Sequence, residues 1–216
     1  MKGARLLGAL ALLGVGWADV ILDVSEKGFP AGTIQWSVRV SGKQKIERQI
    51  IQPGGNMARK TITAYTNDKG LTTKIEFEMP STAIIEGRAS KGMTRITANL
   101  FETKTVEAII RVPGRTIRQP IPPPSVPSQD DSAFWFVRDH PKPGDTVYFG
   151  WFDILNLKWI AVERTFVGKK PVPNAHVLGD ANVVTEKRDG VESTLYLDDR
   201  GEPILIESGT TRMVRR

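Results

Sequence analysis

Residues 33–40 read TIQWSVRV, and apolar and polar side chains alternate strictly along this stretch. The same alternation recurs in residues 74–79, 95–100 and 106–112. A period of two places alternate side chains on opposite faces of a strand, and a single apolar face is typical of an antiparallel sheet covered on one side. These segments, together with the near absence of helical periodicity, predict a mainly β protein.

Two short segments between such runs have the composition of hairpin turns, NDKG at 67–70 and DDRG at 198–201. Glycine adopts positive φ without steric cost after a type I turn, so Gly70 and Gly201 are predicted to lie in the left-handed region. Six positions around the two turns match at a constant spacing of 131 residues. An internal duplication and the shared chemistry of hairpin turns both explain this match.

The length and the turn pattern favour one β domain over residues 19–216, and two similar halves at 19–112 and 129–216 are an open alternative. The halves would be joined by the proline-rich stretch 113–128, which holds six of the fourteen prolines. Such a stretch favours an extended conformation. It can be a connector across the sheet, a ligand for a proline-binding module or a flap over a groove.

The first eighteen residues have the pattern of a signal peptide. Lys2 and Arg5 precede an apolar run at 6–16, which is too short to cross a bilayer of about 30 Å as a helix. Small residues favour cleavage between Ala18 and Asp19, although an uncleaved anchor is the alternative. We therefore expect an exported protein, periplasmic or extracellular in a bacterial envelope, without a stable membrane span after processing.

Composition and charge exclude several classes of protein. The chain has 216 residues, 40% of them hydrophobic and 25% charged, which excludes a disordered or a polytopic membrane protein. It contains no cysteine, and without the first eighteen residues it carries 28 basic and 24 acidic side chains. Residues 19–128 carry a net charge of +6 and residues 129–216 a net charge of -2. This mild asymmetry predicts no nucleic-acid binding but allows weak attraction to anionic lipid head groups or envelope polymers.

Nine of the fifteen aromatic residues that follow the signal segment lie between Phe134 and Phe166. Residues 147–152 carry large side chains on both faces of a strand, which predicts a central strand covered on both sides or the wall of a cavity. The sheet is therefore expected to wrap around something at this point. Candidates are a short helix near 131–138, the proline-rich stretch, or a hydrophobic ligand.

Several segments of the second half resemble exported bacterial proteins of undetermined function: PGDTV at 143–147, FD at 152–153, VGKK at 167–170 and LYLDDRGEP at 195–203. Those proteins carry long antiparallel strands bent into an open half-barrel, similar in architecture to the periplasmic lipoprotein carriers. The resemblance implies a curved open sheet with an apolar concave side, at most one or two short helices, and an envelope location. It implies no catalytic residue.

Five aromatic residues are candidates for a ligand site. Trp36, Trp151 and Trp159 are expected to line the concave side, with Tyr148 and Phe152 on the other face. In a binding site, at least one of the three tryptophans should keep an exposed ring, because a ligand needs access. In a simple core, all three should be buried and touch one another.

The sequence lacks the motifs of the common enzyme classes. His140 and His176 are isolated, and there is no nucleophile elbow or phosphate-binding loop. Asp198, Asp199 and Glu202 can hold calcium or form a solvated turn. We therefore expect no catalytic residue, cofactor or metal, and no enzymatic activity.

Two functions remain open from the sequence. The first is a non-catalytic envelope protein whose concave face binds an apolar or amphipathic ligand, such as a lipid or a lipidated partner. The second is a structural or interaction module that contacts an envelope polymer or a protein partner.

Overall fold

The computed structural model describes residues 19–41, 43–101, 106–124, 139–173 and 179–216. The predicted signal segment, the possible helix near 131–138 and His176 lie outside the described residues. Asp19, the predicted first residue after cleavage, is the first residue of the first strand.

Fourteen strands make up the described part of the chain. They are β1 (Asp19–Glu26), β2 (Phe29–Ser41), β3 (Gln44–Pro53), β4 (Lys60–Thr66), β5 (Thr72–Ile85), β6 (Arg88–Asn99), β7 (Glu107–Val112), β8 (Arg115–Pro120), β9 (Thr146–Asp153), β10 (Lys158–Pro171), β11 (Asp180–Arg188), β12 (Val191–Leu197), β13 (Pro203–Ser208) and β14 (Thr211–Arg215).

All fourteen strands form one antiparallel sheet in the order β8-β7-β6-β5-β4-β3-β2-β1-β14-β13-β12-β11-β10-β9. The sheet is open, with β8 and β9 at its edges. The first strand pairs with the last, Val24 opposite Met213, and this pairing joins β1–β8 to β9–β14. The predicted fold class, a mainly β protein with long antiparallel strands in an open sheet, is confirmed.

Part of the proline-rich stretch is itself a strand. Residues 115–120 form β8, which pairs with β7 from Glu107 opposite Pro120 to Val112 opposite Arg115. A proline at the end of an edge strand is tolerated because its missing N–H costs no hydrogen bond in the ladder. Residues 115–120 of the proline-rich stretch are therefore part of the sheet, in the extended conformation that the prolines favour.

The two predicted hairpin turns have the same geometry. Gly70 and Gly201 both have φ of 80°, which confirms the prediction for each. The side chain of Asn67 accepts backbone hydrogen bonds two and four residues ahead, and the side chain of Asp198 does the same. Short polar side chains that bond to the backbone ahead favour turns, so turn chemistry alone accounts for this part of the similarity.

A hydrophobic cluster occupies one face of β1–β3 and β10–β14. Val20 and Leu22 of β1 lie opposite Trp36 and Ile34 of β2. Side chains directly opposite each other share a face, and the register carries that face across the sheet as far as β10. We call it the concave face. The buried members of its cluster are Val20, Leu22, Val24, Ile34, Trp36, Val38, Ile51, Phe166, Val184, Leu195, Leu197, Ile206 and Met213.

A second cluster shows that the sheet curls around one of its own edges. Phe152 and the adjacent Ile154, at the end of β9, pack with Ile75, Phe77 and Ile96 of β5 and β6. Because β9 is one edge of the sheet and β5 and β6 lie toward the other, the sheet must curl to bring them together. The sheet therefore wraps around its own β9–β10 hairpin. This explains why β9 is apolar on both faces although it is an edge strand and not a central one.

The predicted faces of the aromatic side chains need one correction. Trp159 lies directly opposite Phe152, so these two share a face, whereas Trp151 lies opposite Ile160 and points to the other side. The cause is the loop 154–157. A loop of four residues pairs odd-numbered positions with even-numbered ones, so Trp151 and Trp159 cannot lie on the same face.

One glycine permits a close approach between strands β2 and β3. Gly32 has φ of 138°, and a Cβ atom placed on it would lie 2.2 Å from the carbonyl oxygen of Gln52. The β1–β2 pairing shifts register beside it, between Val24 and Ser25. Only glycine fits this position without moving the backbone.

Candidate functional site

Three charged side chains lie on the concave face where β10 and β11 pair, and we call them the Arg–Glu–Arg cluster: Arg164, Glu186 and Arg188. Arg164 is directly opposite Glu186. The Nε of Arg164 donates to one Glu186 carboxylate oxygen at 2.7 Å, and Nη2 of Arg188 donates to the other at 2.5 Å. One carboxylate therefore serves two guanidinium groups, and the cluster carries a net charge of +1.

All three side chains are buried, with relative exposures of 1% for Arg164, 2% for Glu186 and 6% for Arg188. The guanidinium carbon of Arg164 lies 4.7 Å from the ring centre of Phe149, and that of Arg188 lies 4.5 Å from the ring centre of Trp151. Cation–π contacts of this kind stabilise a desolvated guanidinium. The aromatic strand β9 is therefore the wall against which both arginines rest.

Arg188 does not use all of its hydrogen-bond donors. Its Nε and Nη1 atoms are buried and have no hydrogen-bond partner among the described residues. These two nitrogens carry three N–H bonds. Burial lowers the pKa of Arg188, while the neighbouring Glu186 carboxylate acts in the opposite direction. The site thus holds a desolvated cation with donors to spare.

The surroundings of Arg188 are apolar. Arg188 lies opposite Val162 of β10. Ile160 is the next residue on the same face, nearer the β9–β10 loop, and Val162 and Ile160 are both buried. Trp151, opposite Ile160, is partly buried. Guanidinium groups bind carboxylates and phosphates through charge-assisted hydrogen bonds. An arginine with free N–H groups among apolar side chains is suited to a ligand that is anionic at one end and apolar at the other.

Trp36, by contrast, belongs to the core. Its side chain is 1% exposed, and its indole nitrogen donates to Glu47 at 2.8 Å. Glu47 also accepts from the side-chain nitrogen of Gln49 at 3.2 Å and lies 3.7 Å from the ammonium of Lys45. The structure places Trp36 at the centre of the concave cluster, where it packs and has no surface for a ligand.

Trp159 and Phe152 form the hydrophobic cluster against β5–β7. Their ring centres are 5.2 Å apart in an edge-to-face arrangement, and Phe101 lies 6.0 Å from Trp159. The indole nitrogen of Trp159 donates to the carbonyl oxygen of Pro122 at 2.9 Å. This contact attaches the chain after β8 to the β9–β10 hairpin.

Tyr148 is 58% exposed and lies on the face of β9 opposite to Trp151. Of the five candidate residues, the structure brings together only Phe152 and Trp159. Trp151 alone adjoins the Arg–Glu–Arg cluster. The arrangement matches neither a shared tryptophan wall nor a core in which the three tryptophans touch.

Sequence reasoning missed the Arg–Glu–Arg cluster. Along β10 the inward positions are Ile160, Val162, Arg164 and Phe166, so one arginine interrupts an apolar series. On β11 Glu186 and Arg188 follow Val184 in the same phase. Charged residues at inward positions of two successive strands are the signal that could have revealed it.

A shallow pocket of about 320 Å³ lies elsewhere, beside β1 and the end of β14. It is lined by Asp19, Val20, Ile21, Arg200, Glu202, Arg215 and Arg216. Nearby carboxylates are already engaged: Asp198 accepts from the Arg215 guanidinium at 2.9 Å, and Asp199 accepts from Lys169 at 2.9 Å. Lys169 lowers the pKa of Asp199 through that hydrogen bond. Asp198 and Asp199 are therefore paired with cations of the chain, whereas Glu202 is buried at 2% exposure, so the solvated-turn interpretation is wrong for Glu202.

At the same end, the guanidinium of Arg216 forms hydrogen bonds of 2.8–3.0 Å with both carboxylate oxygens of Asp23. This contact lowers the pKa of Asp23. His140, the one histidine that the structure describes, is exposed. Within the described ranges no three His, Cys, Asp or Glu side chains are grouped so that they could hold a metal ion, and no helix there has the length and apolarity to span a membrane.

The fold is similar to that of a solved protein. No family model and no curated protein matches the chain. A crystal structure described as a beta-barrel-like protein of a domain of unknown function, DUF1849, from Brucella abortus aligns with a TM-score of 0.54 and 12% sequence identity. The alignment covers 91% of this chain and 94% of that one. The likeness extends over nearly the whole of both chains and concerns the fold.

Proposed function

We propose that this protein is a non-catalytic, exported protein of the bacterial envelope that binds an amphipathic ligand on its concave face, with the ligand's anionic group at Arg188. The export part rests on the signal-like segment that precedes Asp19. The binding part rests on the residues around Arg188.

A single observation carries the proposal: a 6%-exposed arginine has three N–H bonds without an acceptor among the described residues. Buried donors left without acceptors are costly, so such groups call for an explanation. A bound carboxylate or phosphate would supply the missing acceptors and neutralise the net charge of +1. Trp151, Ile160 and Val162 would then contact the apolar part of the ligand.

Displacement of a neutral hydrophobic dye tests the proposal. Nile red bound to the purified full chain would be displaced with palmitate, and in parallel with hexadecanol, which has the same chain length without the charge. We expect palmitate to compete at least about tenfold better, because only its carboxylate can bind Arg188. Arg188→Met should abolish this preference.

Arg118→Met is the matched control, because Arg118 is an exposed arginine on β8 that is ion-paired with Glu107 of β7. It should retain the preference for palmitate. Trp151→Ala should weaken the binding of both ligands, because the ring lies beside Arg188 and would contact their apolar part. Equal competition by palmitate and hexadecanol in the unmodified protein would contradict the proposal, as would an unchanged preference in Arg188→Met.

The second candidate, an interaction module, is favoured by the open edge of the sheet. Five of the six residues of β8 are exposed, and no described strand pairs with its outer side. An exposed edge can accept a strand from a protein partner. Thr116→Pro removes a backbone N–H of β8 that points away from β7, because the bonded pairs of this ladder are those in phase with Val106 and Ile121. It would weaken a partner captured in this way and leave palmitate binding intact.

A further inference from the structure

Four of the hairpin connections among the first eight strands lie at one end of the sheet. Because successive strands are antiparallel, every connection from an odd-numbered to an even-numbered strand emerges on the same side. For β1–β8 these connections are residues 27–28, 54–59, 86–87 and 113–114. We call this group the basic turn end.

Exposed apolar side chains are concentrated at these turns. Phe29 is 75% exposed, Met57 60%, Ile84 72% and Ile85 37%. Each lies within a connection or next to one. They account for four of the nine large hydrophobic side chains that are exposed in the described part of the chain. They stand on three different turns, with Ile84 and Ile85 together at the tip of the β5–β6 hairpin.

The same turns carry unneutralised positive charge. Within three residues of the four connections there are six basic side chains and two acidic ones, Glu26 and Glu86. The basic side chains are Lys27, Arg59, Lys60, Arg88, Arg111 and Arg115. None of the six has an ion-pair partner among the described carboxylates, whereas many other lysines and arginines of the sheet do. The end therefore has an unpaired net charge of +4.

The most prominent of these turns is fixed in place. A Cβ atom on Gly114 would lie 2.7 Å from Cδ1 of Ile85, and one on Gly92 would lie 2.8 Å from Cγ of Pro113. The tip of the β5–β6 hairpin therefore rests against the β7–β8 turn. A supported tip holds Ile84 outward without a large loss of conformational entropy on docking.

We propose that the basic turn end docks on the surface of an anionic phospholipid bilayer. Phe29 and Ile84 would enter the interface between head groups and acyl chains, and the unpaired lysines and arginines would contact lipid phosphates. A protein partner is less suited to this surface, because protein interfaces centre on a continuous packed core and not on separate apolar tips among free cations. The proposal is independent of the ligand at Arg188.

Vesicle flotation with the purified full chain tests it. The vesicles would be phosphatidylcholine alone and an equimolar mixture of phosphatidylcholine and phosphatidylglycerol. We expect binding to the anionic vesicles only, with a decrease as salt is raised. The double variant Phe29→Ser/Ile84→Ser should bind at least about tenfold more weakly and Arg88→Glu at least about fivefold more weakly.

The matched controls lie away from this end. Tyr148→Ser removes a 58%-exposed ring from β9, and Lys43→Glu reverses a 90%-exposed charge in the β2–β3 connection. Both controls should bind like the unmodified protein, and so should Arg188→Met, which separates this test from that of the ligand site. Equal binding to both vesicle types would overturn the proposal. The proposal would also be overturned if the control variants lost as much vesicle binding as the test variants. A further contrary result would be a protein that binds no vesicles but self-associates, with the self-association abolished in the double variant.

Discussion

Replacing Glu186 by glutamine should destabilise the fold far more than replacing Arg188 by methionine. The two residues share a hydrogen bond, so a simple count of contacts would assign both changes a similar cost. The Arg–Glu–Arg cluster predicts an asymmetry because its charges are unequal. Glu186→Gln raises the net charge of the buried cluster from +1 to +2, and Arg188→Met lowers it to zero.

The magnitudes follow from burial. Glu186 is 2% exposed and bonded to both guanidinium groups, so its neutralisation leaves two buried cations without that carboxylate. Removing one partner of such a buried pair costs about 3–5 kcal/mol. Arg188→Met loses one bond and the contact with the Trp151 ring, but it also removes three unmade N–H bonds and a desolvated charge. Replacing a buried ion by a hydrophobic residue often changes stability little. We therefore expect Arg188→Met to lower the free energy of unfolding by at most about 1 kcal/mol.

Urea unfolding followed by tryptophan fluorescence would measure both variants, provided that the m-values agree with that of the unmodified protein. Glu163→Gln is the control, because Glu163 is the neighbour of Arg164 on the outer face of β10. It should change the free energy of unfolding by less than about 0.5 kcal/mol.

A loss in Arg188→Met as large as that in Glu186→Gln would refute the reasoning. It would mean that the Nε and Nη1 groups of Arg188 are satisfied in the folded protein, for example by ordered water. The assignment of Arg188 as an anion-binding residue would then lose its main support.

Three further outcomes are expected. Gly32→Ala should cost roughly 3 kcal/mol or more in urea unfolding because its Cβ meets a backbone oxygen, whereas Gly190→Ala, where positive φ is the only obstacle, should cost about 1–2 kcal/mol. Asp23 has a lowered pKa, so its contribution to stability is present above about pH 4 and is lost as the pH falls through its folded value; Asp23→Asn should flatten that part of the acid unfolding curve. Trp159→Phe removes the bond to Pro122 and should cost about 1 kcal/mol in thermal unfolding, with the Phe152 contact retained.

The sequence predicted those features of the fold that depend on local chemistry. The alternation in 33–40 and 74–79 identified strands and their buried faces, and the turn residues identified positive φ at Gly70 and Gly201. It could not predict that Trp151 and Trp159 face opposite sides, because this depends on a four-residue loop. One residue more or less in such a loop reverses the facing of every side chain in the strand that follows.

The candidate site depends on contacts that no local pattern records. Phe152 is buried against a distant part of the same sheet, β5–β7, which no pattern near residue 152 indicates. The aromatic segment was predicted as a candidate ligand site because its residue types are unusual. The Arg–Glu–Arg cluster was not predicted. Its charged residues lie in phase with the apolar positions of β10 and β11, but only the register shows that Arg164 lies opposite Glu186.

A comparison within the molecule argues that Arg188 differs from a structural buried charge. Glu47 is also buried on the concave face, and there it accepts from Trp36 and Gln49 and adjoins Lys45. The same sheet can therefore surround a buried ion with suitable partners when the ion serves packing. Arg188 lies on the same face with one hydrogen-bonded nitrogen and two without partners among the described residues. A fold that satisfies one buried charge and leaves another with free donors beside a partly buried tryptophan holds the second in the form that an anionic ligand requires.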